Sequence, residues 1–148
     1  TITEELTLNG ADRGSTNTLS VASVTQVYHR IVTCPAGSDS TVATFQTLTS
    51  TSDNAIDLED AKYVRVTNLD ASNLVNLSLR VSADEDGAAD ASATLLVDAG
   101  RSFIMGATHD GIALDDDSAS IVTSLTDLES ILIDPGTNAV SVEVFIAS

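Results

Sequence analysis

The stretch Ala61–Ser82, AKYVRVTNLDASNLVNLSLRVS, decides how the rest of the chain is read. In its second half Val75, Leu77, Leu79 and Val81 point one way, and Asn76, Ser78 and Arg80 the other. A period of two marks a strand with one buried and one wet face. The first half alternates as well, with Val64 and Val66 set against Tyr63, Arg65 and Thr67. Between them lies Asn68-Leu69-Asp70-Ala71-Ser72-Asn73, rich in side chains that bond their own backbone and favour turns. The pattern predicts a β-hairpin at the centre of the core.

Working outward, the same signals recur on both sides. Gln26–Cys34 alternates Val27, His29 and Ile31 against Tyr28, Arg30 and Val32, and Pro35–Asp39 closes it as a turn. Thr18–Thr25 reads as a preceding strand or the first part of one long bent strand. Thr41–Leu48 is the next, with Val42 and Leu48 opposite Ala43 and Phe45. On the C-terminal side, Ala93–Val97 and Arg101–Met105 flank Asp98-Ala99-Gly100, where the glycine suits a turn that needs positive φ. Ser120–Leu125 reads as a short strand. Leu128–Ile133 and Ala139–Ala147 read as a last hairpin around Asp134–Asn138. The spacing of Leu125, Leu128 and Leu132 also fits a single helical turn. The expected fold is all-β, an antiparallel sandwich or barrel of about eight to ten strands.

Length and composition agree with that class. One domain spanning residues 1–148 is the expectation, long enough to fold without disulfide or metal. Apolar residues make up 43% and aromatics 3%, so Val, Leu, Ile and Ala must fill the core. Thr1–Leu8 and the polar stretch Asn9–Ser15 read as an N-terminal arm that reaches a neighbouring subunit, or as an edge strand with its loop. Cys34 is the single cysteine, which excludes an intrachain disulfide and suits a small buried thiol.

The net charge of −16 repels phosphate, and this argues against nucleic acid and anionic membrane as partners. An acidic surface also suits saline surroundings, where salt screens the repulsion. No secretory leader and no span-length apolar run stand in the sequence. Thr1 is the kind of residue left by removal of an initiator Met, so synthesis in the cytoplasm is expected.

The sequence offers candidates for three chemistries. Ser82–Asp90 partly matches a calcium loop, with Asp84 and Asp86 at alternate positions before Gly87 and Asp90 three later. Ala93 stands where the bidentate glutamate belongs, and no flanking helices are evident. The expectation is a solvated loop with Asp84, Asp86 and Asp90 as the candidate calcium ligands, and no other cofactor. Asp115-Asp116-Asp117 is a poorer cation site, because adjacent carboxylates cannot all face one ion. His29 lies mid-strand and His109 stands beside Asp110. A His–Asp pair can tune a general base, but no Gly-x-Ser-x-Gly elbow supplies a nucleophile, so no enzyme is expected. Sugar binding calls for exposed aromatics, and the chain offers Tyr28 and Tyr63.

The order of the pieces carries a resemblance. A strand ending Arg30-Ile31-Val32-Thr33 leads to Thr41–Leu48. Tyr63-Val64-Arg65-Val66-Thr67-Asn68-Leu69-Asp70 follows, and then Asn73-Leu74-Val75 and a strand. Asp98-Ala99-Gly100-Arg101-Ser102-Phe103-Ile104 comes next, and Val142–Ser148 closes the chain. From Val27 to the C-terminus this resembles the small β-rich virion structural proteins of tailed bacteriophages, particularly those infecting marine bacteria such as cyanobacteria. In that group a strand running into TNLD and a DAG-S-F turn recur. Asp84–Asp90 and His109–Asp117 have no counterpart in the resemblance. It implies a virion role, assembly in the host cytoplasm, the major capsid protein as partner and a homo-oligomer, and it carries no site residues. Capsid decoration is the expected role. The alternatives are a tail-tube or head–tail connector ring subunit and a carbohydrate-binding or host-adhesion module.

Overall fold

The computed structural model describes residues 2–46, 56–57, 61–81, 91–106, 111–114, 121–123 and 125–148. It is all-β. The body holds β5 (Val27–Cys34), β6 (Ser40–Gln46), β7 (Ile56–Asp57), β8 (Tyr63–Asn68) and β9 (Val75–Val81). β10 (Ala91–Val97), β11 (Ser102–Met105), β12 (Leu128–Asp134) and β13 (Val140–Ala147) complete it. Ahead of the body come β1 (Ile2–Thr3), β2 (Thr7–Leu8), β3 (Ala11–Asp12) and β4 (Thr16–Asn17). No helix forms among the described residues: the leucine spacing that also fitted a helical turn runs into strand β12. Thr18–Thr25 and the described part of Ser120–Leu125 form no strand.

Two sheets pack face to face. One runs β11-β8-β13-β5 and the other β10-β9-β12-β6, with β7 added in parallel beside β6. All the other pairings in the body are antiparallel. The alternation on the sequence reports faithfully which side is buried. Burial strictly alternates along β8, and on β9 Val75, Leu77, Leu79 and Val81 all point inward. Val140, Val142, Val144 and Ile146 of β13 meet them from the opposite sheet. Each such fully buried side chain contributes about 1.5–3 kcal/mol relative to exposure. Along β6 the alternation breaks. Val42, Ala43 and Phe45 are all buried, because the β6–β12 register shifts at Ile131/Leu132.

The expected central hairpin is not a hairpin. β8 and β9 lie in different sheets, and residues 69–74 arch across the sandwich between them. The same correction applies to β10 and β11 and to β12 and β13, and the turn after β5 likewise carries the chain across to β6 in the other sheet. Each turn signal marks a crossing from one sheet to the other, so four arches gather at one end of the molecule. The strand order that results is the jelly roll, two Greek keys wound together.

Backbone bonds knit the four arches. Gly37 N–H donates to Gly136 O at 2.7 Å, Asn68 N–H to Arg101 O at 2.9 Å and Leu69 N–H to Ser141 O at 3.0 Å. Asn68 is fully buried among them. Its Nδ2 donates to Asn73 O at 2.8 Å and to Val97 O at 3.3 Å, and its Oδ1 accepts from Asp70 N–H at 3.0 Å. Asp70 Oδ1 accepts from the amides of Ser72 and Asn73, and those bonds hold its carboxyl below the usual range.

Candidate interaction surfaces

The N-terminal segment is a hairpin of its own. Ile2 pairs with Asn17 and Thr3 with Thr16; Thr7 pairs with Asp12 and Leu8 with Ala11. Asn9 and Gly10, with φ of 52° and 75°, make the two-residue tip. Positive φ at both central residues is the requirement of a type I′ turn, which matches the twist of a hairpin. Asn9-Gly10 is therefore the signal that the loop reading of Asn9–Ser15 passed over. Gly14 is required for a different reason: a Cβ there would collide with the carbonyl oxygen of Glu4 on the facing strand. Ser15 Oγ donates to Glu4 Oε2 at 2.9 Å across the hairpin.

Among the described residues this hairpin pairs with no strand of the body. Its apolar side chains have no core to enter: Leu6 is 60% exposed, Leu8 58% and Ile2 43%. The segment is a separate hairpin and, among the described residues, not an edge strand of either main sheet. The chain returns to the body at Thr25 and Gln26, whose amides donate to Ser148 O. The arm therefore springs from the end of the sandwich opposite the four arches.

A second surface lies on the outer face of β8, β13 and β5. His29 Nε2 donates to Glu143 Oε1 at 2.9 Å, and Arg65 Nη2 donates to Glu143 Oε2 at 2.7 Å. The Phe145 ring lies beneath the Arg65 guanidinium, 5.5 Å from it, with His29 and Tyr63 tilted against its two sides. The His29 bond is the largest cause holding the Glu143 carboxyl below the ordinary glutamate range; partial burial opposes it and the Arg65 charge adds to it.

The sign of that shift fixes a pH dependence. A carboxyl depressed in the folded state stabilises fully above its unfolded pKa, and that contribution is lost as pH falls through the folded value. Glu143→Gln should therefore flatten the acid limb of stability. Urea midpoints of wild type and variant should differ at about pH 6 and converge as pH falls below the ordinary glutamate pKa of about 4.3. A difference that persists unchanged into acid would show that the carboxylate charge is not the source.

His29 is thus part of a surface cluster, bonded to Glu143 and tilted against the Phe145 ring. Asp84, Asp86 and Asp90 lie outside the described residues, as do His109, Asp110 and Asp115–Asp117. Among the described residues no group of three or more His, Cys, Asp or Glu is placed to hold a metal ion. Cys34 is buried at the end of β5, and burial pushes its thiol pKa up. Tyr28 turns inward and donates its hydroxyl to Val42 O at 3.2 Å, closing the gap between the sheets. Tyr63 lies half-buried on a sheet face.

Fold and surfaces together define a jelly-roll sandwich with a projecting N-terminal hairpin. No protein-family model, no curated protein and no solved structure matches the chain.

Proposed function

We propose that this chain is a structural protein of a tailed-phage virion, a capsid decoration or cement subunit. It binds the major capsid protein at symmetry-related junctions of the shell, acts as a homo-oligomer, and engages neither nucleic acid nor membrane. One observation carries the reading: the hairpin Ile2–Asn17 pairs only with itself among the described residues, and it holds Ile2, Leu6 and Leu8 out from the body. Exposed apolar side chains on a preformed strand pair are what a subunit needs to lace into a neighbour by strand addition. Jelly rolls build viral shells, but also lectins and cupins, so the fold supports the reading without deciding it. The charge of −16 favours a protein partner over nucleic acid.

The test is cryo-electron microscopy of particles of the phage that encodes the chain. The expected result is density for the jelly roll repeated over the shell, with the hairpin seated on the capsid lattice. Density confined to the tail axis would overturn the cement role and favour a tube or connector subunit. Absence from the particle would overturn the virion role altogether.

A further inference from the structure

Strand β5 is an unprotected edge. It pairs with β13 along one side over its whole length with no register shift, and among the described residues nothing pairs with its other side. The reciprocal bonds between Gln26 and Ser148 set the phase of the ladder. In an antiparallel pair, alternate residues turn their amides and carbonyls towards the partner. Tyr28, Arg30, Val32 and Cys34 therefore bond β13, and Val27, His29, Ile31 and Thr33 direct their backbone groups outward. These same four residues carry side chains on the exposed face, with Ile31 64% and Val27 54% exposed.

Natural sheets guard their edges with short strands, bulges, proline, inward charge or a covering segment. Two other edges of this molecule have such guards. β7 covers β6, and β11 is a short strand. β10 follows an acidic run in sequence, Asp84, Glu85, Asp86 and Asp90. Among the described residues β5 has none, and Val27–Cys34 contains no Pro, Lys, Asp or Glu. In a chain of net charge −16, this edge carries only Arg30 and His29 as ionisable groups apart from Tyr28 and the buried thiol.

We propose that β5 pairs antiparallel with β5 of a second copy, about a two-fold axis through Ile31, joining the two outer sheets into one. The register follows from the residues. Centring on Ile31 sets the two Ile31 side chains against each other at the axis and opposes His29 to Thr33 of the second copy. It also places Arg30 opposite Val32 of the second copy. All the opposed backbone groups in this register are the outward ones. Centring one residue earlier would set Arg30 directly against Arg30, a like-charge pair that destabilises. Centring one residue later would set each Ile31 against Thr33 of the second copy, so the two Ile31 side chains would no longer meet on the axis. A second copy is the occupant, because the strand can pair with itself about a two-fold axis and set its two Ile31 side chains against each other there.

The contact stands on the strand edge alone, independently of the virion role. A chain that dimerises and yet is absent from phage particles would overturn only the latter. The test is sedimentation velocity of the full chain at about 0.1 mM, with salt raised from about 0.05 to 0.5 M. The expected result is a dimer that tightens as salt screens the mutual repulsion. Ile31→Lys, at an exposed position, should keep the far-UV spectrum and weaken the dimer at least about tenfold. Ile31→Cys should form a disulfide-linked dimer on mild oxidation, because directly opposed Cα atoms lie about 5.5 Å apart, and Thr33→Cys should not. A monomer under all these conditions overturns the proposal. So does a dimer that weakens with salt, which would point to ion pairing of Arg30 with another surface. So does one that Ile31→Lys leaves intact, or one in which Thr33→Cys cross-links and Ile31→Cys does not.

Discussion

Asn68→Ala is expected to destabilise the fold by about 3 kcal/mol, seen as a lower urea midpoint at unchanged slope. Asn68 is fully buried, and its side chain reaches both the β8–β9 and the β10–β11 crossings. Truncation leaves the carbonyls of Asn73 and Val97 without their Nδ2 donor, and the Asp70 amide without its acceptor. Buried polar groups left unpaired each cost about 1–3 kcal/mol, which sets the size of the effect. Melting should fall by roughly 10 °C for a domain of this length. Asn68→Asp should do at least as much harm, because it turns a carboxylate oxygen towards two carbonyls. Asn138→Ala, at an exposed arch residue, should stay within about 0.5 kcal/mol of wild type. If Asn68→Ala stayed that close as well, the arches would be held by packing alone.

Gly14→Val is expected to open the N-terminal hairpin and leave the body intact. The new side chain would run into the Glu4 carbonyl, so β1 and β4 could no longer pair. Since the hairpin pairs with no body strand among the described residues, melting of the body should move by no more than about 1 °C. Cleavage by a glutamate-specific protease at Glu4 and Glu5 should accelerate, as expected for a strand that has lost its partner. Binding to isolated capsid shells should fall at least about tenfold under the proposed role. Leu8→Ser separates shape from contact: it keeps the Asn9-Gly10 turn and removes apolar surface at the tip. Shell binding unchanged in both variants would remove the hairpin from the interface.

The faces of the strands were legible because burial imposes a period of two on the residues themselves. Val64 and Val66, Val75 to Val81, and Val140 to Ile146 all point where the alternation directs them. The punctuation was legible too, at Pro35–Asp39, Asn68–Asn73, Asp98–Gly100 and Asp134–Asn138. Strand ends were read to within a few residues, as at β6 and β10. The surface cluster was not legible. Glu143 and His29 lie more than a hundred positions apart, and β13 brings them together by pairing with β5 on one side and β8 on the other.

The sequence by itself determined the class of the fold, the inward residues and the places where the chain turns, because these depend on local chemistry and on which side chains avoid water. Only the tertiary structure decided which strand lies beside which. A turn signal between two alternating strands is the same whether the second strand returns in the same sheet or crosses to the other, since both arrangements bury the same side chains. What separates a hairpin from an arch is pairing with strands distant in sequence, and here Asn68, bonded to Asn73 and across to Val97, ties two of the crossings together. The free edge of β5 has the same origin. Its residues look like those of any half-buried strand, and only the sheet order leaves one side of it without a neighbour.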